Sequence, residues 1–276
     1  MAAELLQAVK RPLVALFDPL VALVDPLVAL FEWFGALGLF LKRVARATFG
    51  APWELREFVR QMDAVGSKSF PLVALAGAAT GVVLSLQTRE SLSRFGAKAM
   101  LPAVIVFSLI KESGPVITAL IVSGRVGAGI GAELGSMRVT EQIDAMEVSA
   151  VDPYKFLVST RVVACILMLP LLTLCADASG IVLGWISSTL AEPISFRLFL
   201  HGGLKDAALS DFLPPTFKTA VFGWIIGVVS CFQGMRTTGG TAGVGRSATS
   251  SVVLSSLFVI LADVILVRLI QVFFPS

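Results

Sequence analysis

Six ionisable side chains fall inside otherwise apolar stretches of this 276-residue sequence. They are Lys111, Glu112, Asp177, Lys218, Asp263 and Arg268. A charge at the centre of a bilayer costs about 2.5 to 3.5 kcal/mol on insertion scales, so such residues usually face a partner or a wet cavity. Asp263 lies about 16 Å into its stretch at 1.5 Å per residue, with no Lys or Arg four residues away. Its partner is therefore expected on another helix, and Lys218 is the best-placed cation. A purely structural ion pair or a snorkelling lysine is the alternative to a functional site.

The composition indicates that these stretches cross a membrane. Hydrophobic residues make up 56% of the chain and charged residues 15%, against about 25% charged in a soluble domain, and the mean hydropathy is +0.87. We predict an all-α membrane protein of about five transmembrane helices, with residues 1–69 as an N-terminal interfacial segment and 70–276 as the transmembrane domain. The predicted spans are residues 70–88, 99–123, 157–190, 214–235 and 252–274.

The N-terminal segment reads as amphipathic and interfacial. Residues 12–32 repeat PLVALFD-type heptads, and each Asp-Pro step favours the start of a new short helix. A low-complexity leader without function is the alternative. Residues 37–49 then predict a cationic helix at the headgroups. Basic residues gather ahead of the first span, which places the N-terminus in the cytoplasm and, after five crossings, the C-terminus outside.

A stripe of small residues follows the second predicted span. Gly127, Gly131 and Gly135 recur every four residues, a spacing that lets two helices touch backbone to backbone. From Leu134 the pattern predicts one amphipathic helix outside the lipid, which ends at Asp152-Pro153. Its polar face carries Arg138, Glu141, Asp144 and Glu147.

Three further segments are assigned from their turn and polar residues. Ser113-Gly114-Pro115 is expected to break and restart the second helix, as helices bordering a transport path often do. Residues 192–213 predict an external excursion and residues 236–250 a short Gly-rich internal loop.

The sequence gives no sign of catalysis. It has no phosphate-binding loop of the Walker type, a single His, and three Cys that all lie in apolar runs. We therefore predict no catalytic residues, no metal site, no bound cofactor and no disulfide framework. A net charge of +3 is weak and indicates no nucleic-acid partner.

Residues 114–161, GPVITALIVSGRVGAGIGAELGSMRVTEQIDAMEVSAVDPYKFLVSTR, closely resemble the signature of the MlaE-type permeases of ABC lipid transporters. The resemblance extends at lower density from about Phe58 to the C-terminus. It implies that residues 141–148 are a cytoplasmic coupling helix seated on the ATPase, with Arg138, Glu141, Gln142, Asp144 and Glu147 at the contact. It also implies that Glu112, Lys218 and Asp263 line or support a lipid cavity, and it gives no role for Asp177.

The resemblance implies a bacterial inner-membrane permease that moves phospholipid or a related lipid. Its implied partners are a second copy of itself, an ABC ATPase dimer that holds ATP and magnesium, an MCE-domain protein hexamer outside, and in some systems a STAS-domain protein. One rival is a stand-alone ion-coupled secondary transporter or channel, in which the buried carboxylates would be ion sites. Another is an intramembrane enzyme, which the lone His and scattered Cys argue against.

Overall fold

The computed structural model describes residue 28 and residues 30–48, 50, 54–190, 192–205 and 209–273. The heptad repeat at 12–32 lies almost entirely outside these residues. Helices dominate the described part of the chain, which contains no strand, and the predicted all-α class is confirmed.

The described ranges form eleven helices, numbered in chain order. They are α1 (30–48), α2 (Leu55–Val65), α3 (Phe70–Arg94), α4 (Leu101–Ser108), α5 (Gly114–Val122), α6 (Ala128–Val139), α7 (Gln142–Val148), α8 (Thr160–Thr189), α9 (Phe196–Leu204), α10 (Leu209–Met235) and α11 (Gly240–Phe273). Three π-helical turns interrupt the regular geometry, at Leu109–Ser113, Ser123–Gly127 and Tyr154–Ser159.

Within the described part of the chain, five helical stretches are long and apolar enough to cross a membrane, as predicted. They are Leu55–Arg94, Lys98–Val139, Tyr154–Thr189, Phe212–Met235 and Gly240–Phe273. Successive spans run in opposite directions, so α7 and the turn before α11 lie at one end of the bundle. We call it the α7 end, and the opposite end, which carries α9, the α9 end.

The chain divides into two units, Met1–Arg46 and Ala47–Ser276. In the first unit the described residues other than residue 28 belong to α1, a helix on which Lys42, Arg43 and Arg46 are exposed. This agrees with the cationic helix predicted over 37–49, although α1 begins earlier, at residue 30.

Helix α8 is the centre of the second unit and packs against α2, α3, α5 and α10. Its contact with α3 is backbone to backbone: a Cβ on Gly77 would lie 2.2 Å from the Ala176 carbonyl oxygen, and one on Gly81 would lie 1.9 Å from that of Gly180. Side chains larger than hydrogen would separate the two helices at these positions.

Two predicted boundaries are wrong. Residues 240–250 are not a loop, because α11 begins at Gly240. Its first turns pack on α6 through Ser247, which donates to the Gly131 carbonyl, and Ser251, and this contact explains why a Gly-rich sequence is helical here. The predicted break at Ser113-Gly114-Pro115 is absent as well, since helical geometry continues through the π turn at Leu109–Ser113 into α5.

The single amphipathic helix predicted from Leu134 to Asp152 is also wrong. The second span stays helical to Val139, and α7 is a separate helix. Thr140 donates its hydroxyl to the Ser136 carbonyl, and Glu141 takes a left-handed backbone conformation with φ 57°. A left-handed residue ends a helix, so the chain changes direction between α6 and α7.

Candidate functional site

Three of the predicted residues meet inside the bundle as a charge triad, Glu112, Lys218 and Asp263. The ammonium of Lys218 on α10 lies 3.1 Å from Glu112 Oε2, in the π turn, and 2.9 Å from Asp263 Oδ1 on α11. The first contact is a hydrogen bond, and the second is an ion pair without hydrogen-bond alignment. The sequence-based pairing of Lys218 with Asp263 is therefore present in the structure.

Burial within the triad is uneven. The Lys218 side chain is 1% exposed, that of Asp263 17% and that of Glu112 48%. A buried ammonium needs a counter-ion, and here it has two. The two carboxylates also line an open cavity of about 430 Å³. The acids therefore form part of the cavity wall, and the buried lysine lies behind them.

The π turn at Leu109–Ser113 places Glu112 in this site. Pro115, the second residue of α5, has no N–H to give to the carbonyl four residues earlier, that of Lys111. A wider turn accommodates this missing bond and the extra residue rotates the side chains that follow. Lys111, in the same turn, points away from the triad, and its ammonium lies 5.1 Å from the Phe107 ring centroid.

The cavity beside the triad combines charged and apolar surface. Its lining consists of Glu112, Asp263, Val264, Val267, Arg268 and Gln271. Arg268, one of the candidates from the sequence, lies on the exposed side of α11 and has no ion-pair partner among the described residues. Beyond the cavity, α11 exposes a long apolar face that includes Leu257, Leu261 and Ile265.

Asp177 does not join the triad. It lies on α8, buried, with its Oδ1 against Gly114. Among the described residues, no group of three or more His, Cys, Asp or Glu side chains could hold a metal ion.

Helix α7 presents a polar surface at its end of the bundle. Glu141, Gln142, Asp144 and Glu147 are exposed, whereas Ile143 is buried and fixes the helix to the body of the protein. Arg138 at the end of α6 pairs with Asp144 and so holds one of the acids.

The glycine stripe faces α10 and α11. A Cβ on Gly131 would lie 2.3 Å from Ser251 Oγ, and one on Gly135 would lie 2.8 Å from Thr237 Oγ1, while Gly127 is close to Ser230. The stripe thus joins α6 to the two helices that carry Lys218 and Asp263.

Sequence reasoning missed a second buried cation, Arg161 on α8. Its side chain is 2% exposed, and it lies 3.0 Å from the 54% exposed Glu133 of α6 and donates to the Leu157 carbonyl at 2.8 Å. Arg161 stands near the start of a predicted span, so the search that found the other six charges could have included it. Arg125 was missed in the same way and donates to Ser69 Oγ at 2.6 Å.

An ionic contact also joins elements at the α9 end. One oxygen of Glu192 accepts from Lys98 at 2.5 Å and lies 3.7 Å from Arg89. The hydrogen bond from Lys98 and the positive charge of Lys98 lower the pKa of the Glu192 carboxyl; desolvation opposes them, and the charge of Arg89 adds a lesser lowering.

These features define a multi-pass helical membrane protein with a buried charged site that opens to a cavity. Comparison with known proteins agrees, because the family model described as Permease MlaE matches residues 58–269. A probable ABC transporter permease protein of Rickettsia felis is 36% identical over 235 residues, which cover 85% of this chain and 91% of the relative. One from Synechocystis is 38% identical over 208 residues, 75% of this chain and 79% of that protein.

A plant protein is similar as well. The chloroplastic Protein TRIGALACTOSYLDIACYLGLYCEROL 1 of Arabidopsis thaliana is 35% identical over 211 residues, 76% of this chain and 60% of the relative. The chain therefore belongs to the MlaE permease family, as a multi-pass membrane subunit of an ABC transporter.

Proposed function

We propose that this permease moves phospholipid or a related lipid between the bacterial inner membrane and an MCE-domain carrier. The observation that carries the proposal is the cavity beside the triad, which places Arg268, Glu112 and Asp263 next to the exposed apolar face of α11. A lipid has the same division into a charged head and apolar chains. The Arabidopsis relative carries the name of a glycerolipid, which supports a lipid substrate.

In this proposal Arg268 binds the lipid phosphate. A guanidinium matches phosphate oxygens with two parallel hydrogen bonds, and Arg268 lines the cavity with no ion-pair partner among the described residues. The lysine of the triad is already held by two carboxylates and is not free for this task. Glu112 and Asp263 repel the phosphate, and so keep the headgroup at the Arg268 side of the cavity.

Mass spectrometry of lipids that copurify with the full transporter tests this assignment. Arg268→Met should reduce bound phospholipid about tenfold, the loss expected for about 1.4 kcal/mol of charge-assisted hydrogen bonding. Arg197→Met, a change of the same kind at an exposed position of α9, is the matched control. Equal lipid content in both variants would show that Arg268 does not bind the headgroup.

The working unit in this proposal is a homodimer with a partner ATPase dimer. The apolar face of α11 is exposed in the single chain, and a second copy would cover part of it and enclose the cavity. ATP and magnesium belong to the ATPase, and this chain has no catalytic role. An MCE-domain hexamer receives or supplies lipid outside, and a STAS-domain protein binds the ATPase in systems that have one.

Helix α7 is the coupling helix of the proposal. Its exposed acids are unsuited to contact with lipid chains. Basic residues in a cleft of the ATPase would complement these acids and fix the register of the contact. Because Asp144 already pairs with Arg138, Glu141 and Glu147 are the cleaner targets for charge reversal.

Changing Glu141 and Glu147 together to Lys should leave the permease folded and inserted but release the ATPase on copurification. Losing a close interfacial charge pair costs about 2 to 5 kcal/mol. The matched control reverses Glu54 and Asp63, two exposed acids outside α7, and should retain the ATPase. Retention of the ATPase by the α7 variant would remove the coupling role. An active protein that works alone on an ion gradient would instead support a secondary transporter.

We place the α7 end in the cytoplasm, with the N-terminus inside and the C-terminus in the periplasm. Single cysteines at Ser136 and Gly245, both exposed at the α7 end, should then react only from the cytoplasm in a background without the native cysteines. A cysteine at Ser93, near the α9 end, should react only from outside. Labelling of Ser136 and Gly245 from opposite sides would contradict this topology.

A further inference from the structure

Asp177 is a buried acid that neither the triad nor α7 uses. It lies twelve residues before Thr189, the last residue of α8, which is about 18 Å at 1.5 Å per residue. The residue is 7% exposed, and its Oδ1 has no hydrogen-bond partner among the residues that the structure describes. An ionised carboxylate without a donor or a cation is very costly in such a place, so this group requires another explanation.

Among the residues that the structure describes, no cation forms an ion pair with Asp177. The charged groups on the elements that pack against this part of α8 are Lys111 and Glu112 of the π turn and Lys218 of α10. Lys218 is held by the two carboxylates of the triad, and the Lys111 ammonium lies over the Phe107 ring. The portion of α3 that faces α8 here, around Gly77 and Gly81, contains no charged residue.

The geometry around Oδ1 shows what the acid contacts instead. A Cβ on Gly114 would lie 1.8 Å from Asp177 Oδ1 and 2.9 Å from the carbonyl oxygen of Leu109. Both oxygens therefore border the small space that a Gly114 side chain would fill, which places the carboxyl beside the π turn. The Leu109 carbonyl accepts the Gly114 N–H and keeps a second lone pair. Two oxygens at such a place attract each other only if one of them carries a proton.

We infer that Asp177 is a proton-binding site, held as the neutral acid, whose O–H donates to the Leu109 carbonyl and fastens the π turn that carries Glu112. The site takes one proton from solution, which adds to a carboxylate oxygen, and no other bond changes. Gly114 is required because any side chain there would occupy the space of the acid. Asp177 is thus a positioning residue for the triad.

Infrared difference spectroscopy on the full chain in lipid nanodiscs tests the proton directly. Wild type minus Asp177→Asn at neutral pH should show the carbonyl band of a protonated carboxylic acid, lowered in frequency by hydrogen bonding and shifted again in D₂O. Asp263→Asn is the matched control, because Asp263 faces Lys218 and should lose carboxylate absorption instead. A loss of carboxylate bands from Asp177→Asn would overturn the proposal.

A measurement on the wild-type protein keeps the inference falsifiable if Asp177→Asn does not fold. Wild-type protein with ¹³C-carboxyl aspartate must show a protonated-acid band that moves with the label, and the absence of such a band refutes the site. Where the variants do fold, Asn retains an N–H donor for Leu109 and Leu does not. Asp177→Asn should therefore retain most of the transporter's activity while Asp177→Leu loses about tenfold, and equal losses would contradict the hydrogen bond to the π turn.

Discussion

Neutralising the members of the charge triad one at a time should lower stability in an order set by the charge that remains. Two carboxylates and one ammonium sum to −1 in the wild type. Asp263→Asn gives 0, Lys218→Met gives −2, and the double variant returns to −1. We therefore expect Asp263→Asn to be the mildest change, Lys218→Met the most severe, and the double variant to recover part of the loss.

The distances give the size of these effects. At separations of 2.9 and 3.1 Å, each attraction is about 5 to 6 kcal/mol at an effective dielectric constant of about 20, before the desolvation of the lysine is subtracted. Removing one partner of a buried pair costs about 3 to 5 kcal/mol in net terms. In the Asp263→Asn background the lysine has only Glu112 left, whose exposure weakens that contact. We expect the double variant to be about 1 to 3 kcal/mol more stable than the sum of the single effects.

Denaturant unfolding of the purified full chain, with lipid transport measured on the same samples, provides the assay. Lys68→Met, the same substitution at an exposed lysine, is the control and should stay within about 0.5 kcal/mol of wild type. Purely additive losses from Lys218→Met and Asp263→Asn would show that the two side chains do not interact. A Lys218→Met variant as stable as the control would show that the triad does not stabilise the fold.

Two other ionic contacts give further predictions. Glu133→Ala should destabilise the chain by about 1 to 3 kcal/mol although it removes an exposed side chain, because it leaves the Arg161 guanidinium buried without its carboxylate; adding Arg161→Met should recover part of this, and a harmless Glu133→Ala in denaturant unfolding would contradict the pairing. At the α9 end, the Lys98–Glu192 contact is complete above the usual carboxyl pKa of 4.5 and is lost as the pH falls through the lowered pKa of Glu192. Carboxyl ¹³C NMR should show the Glu192 midpoint rising toward 4.5 in Lys98→Met, and an unchanged midpoint would show that Lys98 does not lower it.

The number of spans followed from the sequence, but their limits did not. Long apolar runs predict membrane crossings because only the hydrocarbon core of a bilayer accommodates so many exposed hydrophobic side chains. The start of α11 at Gly240 was missed, since glycines and serines read as a loop when their partner helix is unknown. Gly131 on α6 and Ser251 on α11 are in contact. The close approach of the two helices offsets the low helix propensity of these small residues.

The ion pair of the site was predictable where the depth of a charged residue within its span restricts which residue can neutralise it. Asp263 lies far inside an apolar run without a cation on its own helix, which left Lys218 as the best candidate, and the two do pair. The π turn that brings Glu112 to the same lysine could not be predicted, because this run is apolar on nearly every face and an extra residue in a helical turn therefore changes no visible periodicity. Arg161 shows the opposite failure, since a charge close to the start of a span reads as a snorkelling residue until the structure shows it fully buried. Distance from the end of a span therefore identifies only the deepest charges, and those nearer the ends need their neighbours on other helices to be known.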